Sequence, residues 1–182
     1  MRKLIVIAGV LIAVLVAVFI GFRMYTKSFS PRDISTYSKN DIELSIQYGR
    51  PYKKDRLIFD GLVPYGEVWR TGANEPTVFT TNVDLKIGED ILKKGEYAVF
   101  TVPNRDNWQI IFNKTIPSWG VRFSGEAARE PSSDALVADV SPITTKNSFE
   151  QFTIAFEEMH DEIDIVMMWD KTLVVLPMIP TN

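Results

Sequence analysis

Cysteine is absent from the 182 residues, and histidine occurs once. The first absence excludes disulfides, thiolate metal sites, a cysteine nucleophile and a lipidated N-terminal cysteine. The second excludes a multi-histidine metal centre within one chain. A surplus of positive charge is also missing. Of the 20 basic residues, four (Arg2, Lys3, Arg23 and Lys27) lie in or beside an apolar N-terminal run. The remaining 16 face 23 acidic residues, a net charge of −7. A domain of that sign lacks the electrostatic footprint for a phosphate backbone, so no nucleic-acid partner is expected. No G-x-S-x-G elbow occurs. Gly61 and Gly66 have phosphate-loop spacing without the following Gly-Lys. No cofactor motif, internal repeat or low-complexity run is present, and none of the residues is assigned a catalytic role.

Charge is absent altogether from Leu4 to Phe22, LIVIAGVLIAVLVAVFIGF. As a helix these residues span about 28 Å, close to a hydrocarbon core of about 30 Å. A cleavable signal peptide has a shorter apolar region ending at a small-x-small site, whereas this run ends in Gly-Phe-Arg-Met-Tyr. The expectation is therefore a single-pass transmembrane anchor over residues 1–25. Its N-terminus is expected inside and the following domain on the extracytoplasmic side. Residues 26–40, rich in serine and carrying Pro31, read as a polar tether.

From residue 41 onward apolar residues alternate in short runs. Ile42, Leu44, Ile46 and Tyr48 share one face, as do Phe152, Ile154 and Phe156, then Ile163, Ile165, Met167 and Trp169. Further strands are expected at 77–83, 97–102, 108–113, 135–140 and 172–176, with a tight hairpin joining 85–87 to 91–92. No convincing amphipathic helix interrupts them, apart from a possible helical turn at 125–129. Residues 41–182 thus predict an all-β domain, an antiparallel β-sandwich or partly closed barrel of about eight or nine strands.

Residues 49–76 break the pattern. A stretch this long between strands is uncommon and often functional. At its centre, GLVPYGEVWRTGANEPT (61–77) holds three glycines and two prolines around Trp69 and Arg70. Pro64-Tyr65-Gly66 and Thr71-Gly72-Ala73-Asn74 suit two tight turns that fix an extended Glu67–Arg70 piece. Arg70 could clamp a carboxylate or phosphate, with Asn74 and Glu75 completing a polar pocket and Tyr65 and Trp69 as stacking surfaces. The ligand would be a glycan, a peptide or a protein. Alternatively, Arg70 is a semi-buried strut paired with Glu67, Glu75 or Asp60, and the loop is a packed plug in a structural protein. A third reading is a hydrolase using Asp60, Glu67 and Glu75. Trp108, Trp119 and Trp169 read as core or rim aromatics. His160, within EEMHDEID, reads as part of a solvated hairpin turn and not as a metal site.

Arg56-Leu57-Ile58-Phe59, Leu62 to Gly66, Val68 to Asn74, Gly95 to Pro103 and Trp108 to Asn113 together resemble the signature of bacterial envelope proteins that share a domain of unknown function. That signature runs R-x-I-F-x-x-LVPYG-x-VWRTGAN. The resemblance covers about residues 41 to 177, implies an envelope location, and brings no reaction with it.

Overall fold

The structure, a computed structural model, describes residues 2–181, and the side chains of all of these except 2, 4, 5, 8, 23, 26 and 27. It begins with α1 (Arg2–Ser28), 27 residues or about 40 Å of helix. The helix stops where Pro31 bars the α conformation at Ser30 and where the Ser28 hydroxyl donates back to Tyr25 O at 2.6 Å. The expected membrane-spanning run, Leu4–Phe22, falls partly on side chains outside the described set. Among the described residues no helix is long and apolar enough to cross a membrane.

The remainder is almost wholly β. Ten strands follow: β1 (Arg32–Lys39), β2 (Ile42–Gly49), β3 (Thr77–Thr81), β4 (Asp84–Ile87), β5 (Asp90–Leu92), β6 (Gly95–Val102), β7 (Trp108–Asn113), β8 (Asp134–Val140), β9 (Ile143–Met159) and β10 (Glu162–Thr181). They form two antiparallel sheets, ordered β1-β2-β3-β6-β7-β8 and β5-β4-β10-β9. Neither sheet closes into a barrel. Their inner faces meet in one core. Leu44, Ile46, Phe79 and Phe112 come from the first sheet, and Leu85, Ile154, Ile165 and Leu176 from the second.

Three expectations need correction. Residues 26–40 are not a tether: α1 runs to Ser28, and residues 32–39 are a strand paired with β2 from Arg32↔Gly49 to Lys39↔Ile42. The turn between them is Asn40-Asp41, both with positive φ (50° and 62°), the residue types and twist that a two-residue hairpin favours. Next, the strands expected at 163–169 and 172–176 are one strand, β10, whose register with β9 shifts between Met168 and Thr172. Pro177 is tolerated inside it because the β9 ladder has ended at Leu173↔Ile143, so no inter-strand bond is lost there. Finally, residues 125–129 are not helical. Val121 and Ala127 bridge as a small antiparallel hairpin turning at Gly125, whose φ is +90°.

One buried group in β10 is out of place. Asp164 is only 6% exposed, and its Oδ1 has no hydrogen-bond partner. Burial, with Glu162 close by, raises its carboxyl above the usual range. A carboxyl with a raised folded-state pKa holds its proton more tightly in the native state. Its cost is therefore absent below the unfolded value near 3.9 and grows as pH rises through the folded value. Asp164→Asn is expected to stabilise the protein at pH 7 by about 1 kcal/mol, the lower end of the cost of an unsatisfied buried group. The gain should vanish near pH 3, which urea melts at the two pH values would show.

Candidate functional site

The 50–76 segment is laid across the end of the two sheets nearest α1 and is stitched to both. On the second sheet, Lys53 N donates to Glu150 O (2.6 Å) and Phe152 N donates to Pro51 O (2.9 Å). On the first, Gly66 N donates to Pro103 O (2.9 Å), and Trp69 exchanges two backbone hydrogen bonds with Thr101 (2.7 and 2.9 Å). The Trp69 pairing sits beyond Thr77↔Val99, so residues 68–70 occupy the place beside β6 that β3 has vacated. The extended piece is thus a short length of sheet. Its alternation sends Trp69 into the main core and Val68 onto the small outer cluster of Ala98, Phe100 and Ile111.

The turn after Arg70 explains the glycines. Thr71 and Asn74 have positive φ (55° and 65°), and Thr71 O is held by the Thr77 hydroxyl at 2.6 Å. Backbone passes directly against backbone here. A Cβ on Gly72 would stand 2.9 Å from Gly49 O, and one on Gly49 would fall onto the Ala73 carbonyl. Gly120 supplies a third close approach, since a Cβ there would lie 2.5 Å from Arg70 Cδ and 3.0 Å from Asn74 O. Gly120 leads into the 121–127 hairpin, which packs Ala127 on the outer cluster.

Beneath the loop lies a nest of aromatics. Trp69 stacks on Trp169 with centroids 5.8 Å apart and planes 18° apart, Phe59 and Phe152 meet the pair edge-on or tilted, and Trp108 meets Phe59 edge-on. Trp108 and Trp169 are buried core residues. Two hollows open above them and share Leu62, Val63, Trp69 and Arg70 as a partition. One, of about 400 Å³, adds Glu67, Val121 and Gly125 of the loop and hairpin. The other, of about 510 Å³, is walled by Phe29 and Ser30 after α1, by Lys54 and Arg56, by Asn74 and by Trp169.

The larger hollow is cationic. Lys54, Arg56 and Arg70 line it, and no acidic side chain is among its described lining residues. Lys54 Nζ lies 4.2 Å from the Phe29 ring centroid. Arg56 is braced on main-chain carbonyls, donating from Nε to Lys53 O (2.9 Å) and from Nη2 to Tyr52 O. Arg70 differs. Its Nε is buried without a partner, and burial lowers the guanidinium below its ordinary pKa, although arginine keeps its charge at neutral pH. Trp169 contributes a second buried donor without a partner, Nε1. The saturated strut of this region is Arg50. It reaches Asp33 Oδ2 (2.9 Å), Phe152 O (3.2 Å) and the Thr153 hydroxyl (2.9 Å), tying β1 and the end of β2 to β9.

Of the residues expected to form a site, Trp69, Arg70 and Asn74 are brought together, with the Asn74 amide donating to Ser30 O (3.4 Å). Tyr65 is not with them. It faces a separate hollow with Phe59, Arg105 and Trp108. Glu75 is half-buried and outside the lining of both hollows. Of Arg70's expected partners, Asp60 pairs with Arg105 at 3.3 Å. Glu67 lines the smaller hollow with Glu126, and neither Asp60 nor Glu75 joins it there, so the expected trio is not gathered in these hollows. His160 and Asp161 form the β9–β10 turn, and among the described residues no group of acidic or histidine side chains is placed to hold a metal. Lys54, Arg56, Phe29 and Trp169 did not enter the sequence reading of the site. The one signal for the cations was the basic stretch from Arg50 to Arg56.

No curated protein and no solved structure matches the chain. A family model does match, over residues 30–178: the chain belongs to the family described as protein of unknown function (DUF2911).

Proposed function

We propose that this is a binding module for an anionic group, carboxylate or phosphate, held in the larger hollow and attached to a membrane through Leu4–Phe22, with the domain outside. The observation that carries the binding reading is the buried, unpartnered Arg70 Nε in a hollow lined by two further cations and no described acid. A buried donor without an acceptor costs about 1–3 kcal/mol, more when charged. A charged donor of this kind on the wall of an open, cation-lined hollow is a ready partner for an anionic acceptor. The anchor reading rests on the uncharged run of 19 residues in the sequence. Among glycans, peptides and proteins, those bearing an acidic group fit the hollow.

The full chain in phosphatidylcholine nanodiscs, titrated with inorganic phosphate or acetate and followed by tryptophan fluorescence, tests this. Trp69 and Trp169 line the hollow and should report occupancy. Arg70→Met keeps the length and removes the charge. It is expected to weaken phosphate binding at least tenfold, the equivalent of about 1.4 kcal/mol, with a melting temperature within a few degrees of wild type. A packed-plug role for Arg70 has the opposite signature: Arg70→Met would melt well below wild type, and phosphate would have no effect on either protein.

A further inference from the structure

Resting on that reading, we infer that the anionic group is the phosphate of an acidic phospholipid in the same bilayer. The loop face around the two hollows would then lie against the membrane surface.

Position is the first argument. Phe29 and Ser30 wall the larger hollow and follow α1 directly. Only residues 23–28 separate them from the end of the apolar run, about 9 Å of helix, and the polar layer of a bilayer leaflet is about 5–8 Å deep. The hollow therefore sits at headgroup height. The smaller hollow and the 121–127 hairpin are fixed to it through the shared Arg70 partition and the Gly120 N to Asn74 O hydrogen bond (3.3 Å).

The second argument is the mixture of side chains on this face. Phe123, at the tip of the hairpin, is fully exposed, and Leu57 and Leu62 are 67% and 47% exposed. Arg122 is exposed beside Phe123, and Lys54 and Arg56 are exposed beside the leucines. Exposed apolar side chains interleaved with cations suit an interface whose outer layer is anionic and whose inner layer is hydrocarbon.

Charge along the long axis is the third. The β1 strand, about 26 Å long, leads from the α1 end to the far end, where Lys39 pairs with Glu158 (2.5 Å). At that far end the β9–β10 turn and its flanks carry Glu157, Glu158, Asp161 and Glu162. The domain is acidic overall, yet the hollow next to the helix is lined by three cations and no described acid, with Glu67 and Glu126 confined to the smaller hollow beside it. An anionic surface orients such a molecule with that pole down.

The absence of cysteine makes the test specific. Phe123→Cys carries a single nitroxide label at the hairpin tip, and Asp161→Cys carries one at the acidic β9–β10 turn. Each full-length variant is placed in nanodiscs of phosphatidylcholine alone or mixed with phosphatidylglycerol, and collisions with oxygen and with a water-soluble nickel chelate are compared. With phosphatidylglycerol the label at 123 should become oxygen-accessible and nickel-protected, while the label at 161 stays in water. Lys54→Glu with Arg56→Glu should return the first label to water. A label at 123 that stays in water in both lipids overturns the inference. The phosphate titration in phosphatidylcholine then separates the two ideas: a retained, Arg70-dependent response keeps the anion site and removes the lipid as its source, and a lost response removes both.

Discussion

Trp169→Ala is expected to lower stability by about 3–5 kcal/mol, the range for truncating a buried tryptophan, and to do so in urea melts without ligand. Trp169 is 1% exposed and touches Phe59, Trp69 and Phe152, so its removal opens the floor on which the loop rests. Trp169→Phe separates volume from hydrogen bonding. It keeps an aromatic ring against the same three neighbours and deletes an N–H that has no partner. The area lost and the relief of an unsatisfied donor oppose each other, and the net change should be within about 1 kcal/mol. A loss comparable to that of the alanine variant would mean that the indole N–H is bonded in solution.

Gly49→Ala is the second large effect. The end of β2 passes against the 71–74 turn so closely that a methyl group would overlap the Ala73 carbonyl oxygen and stand 3.0 Å from its carbon. Both are main-chain atoms, so neither can rotate away, and the cost falls at the upper end of overpacking, about 3 kcal/mol or more. The strain also reaches the site, because pushing Ala73 outward moves Asn74 and Arg70. Phosphate binding should weaken in whatever fraction remains folded. Gly88→Ala is the matched control. Its φ is +60° with open space around the position, so only the left-handed backbone is penalised, at about 1–2 kcal/mol. Equal losses at the two positions would show that steric contact with Ala73 is not what Gly49 avoids.

Strands with one buried face were legible because alternation reports burial. β2, with Leu44, Ile46 and Tyr48 inward, stands almost where the pattern put it, and β9 turns Phe152 and Ile154 inward as the pattern implied, although it begins as early as Ile143. β1 was not legible for the same physical reason. It is an edge strand with Ile34 more than half exposed, and no run of core residues announces it. Its signal was the Asn40-Asp41 turn. β10 was divided in two because the register shift around Asp170 interrupts the period. At the site, the rigid turns around Trp69 and Arg70 could be read from glycine and proline. What the sequence could not supply was proximity: Lys54, Arg56, Phe29 and Gly120 come from other parts of the chain and meet Arg70 only through the fold. Tyr65 fails in the converse way, being near Arg70 in sequence but across the loop from it in space.

The pairing of β4 with β10 has a consequence for how the domain assembles. The first sheet is complete once residues 32–140 have been made, but β4 waits for residues 179–181 before its second ladder can form. Until then the apolar face of Leu44, Ile46, Phe79 and Phe112 has no cover, and the β4–β5 hairpin has only itself. Closing so distant a contact makes folding slow, and an uncovered sheet is the species most prone to self-association. A nascent domain of this topology therefore passes through a stage in which half a core is exposed, and its survival depends on how quickly the last strand arrives.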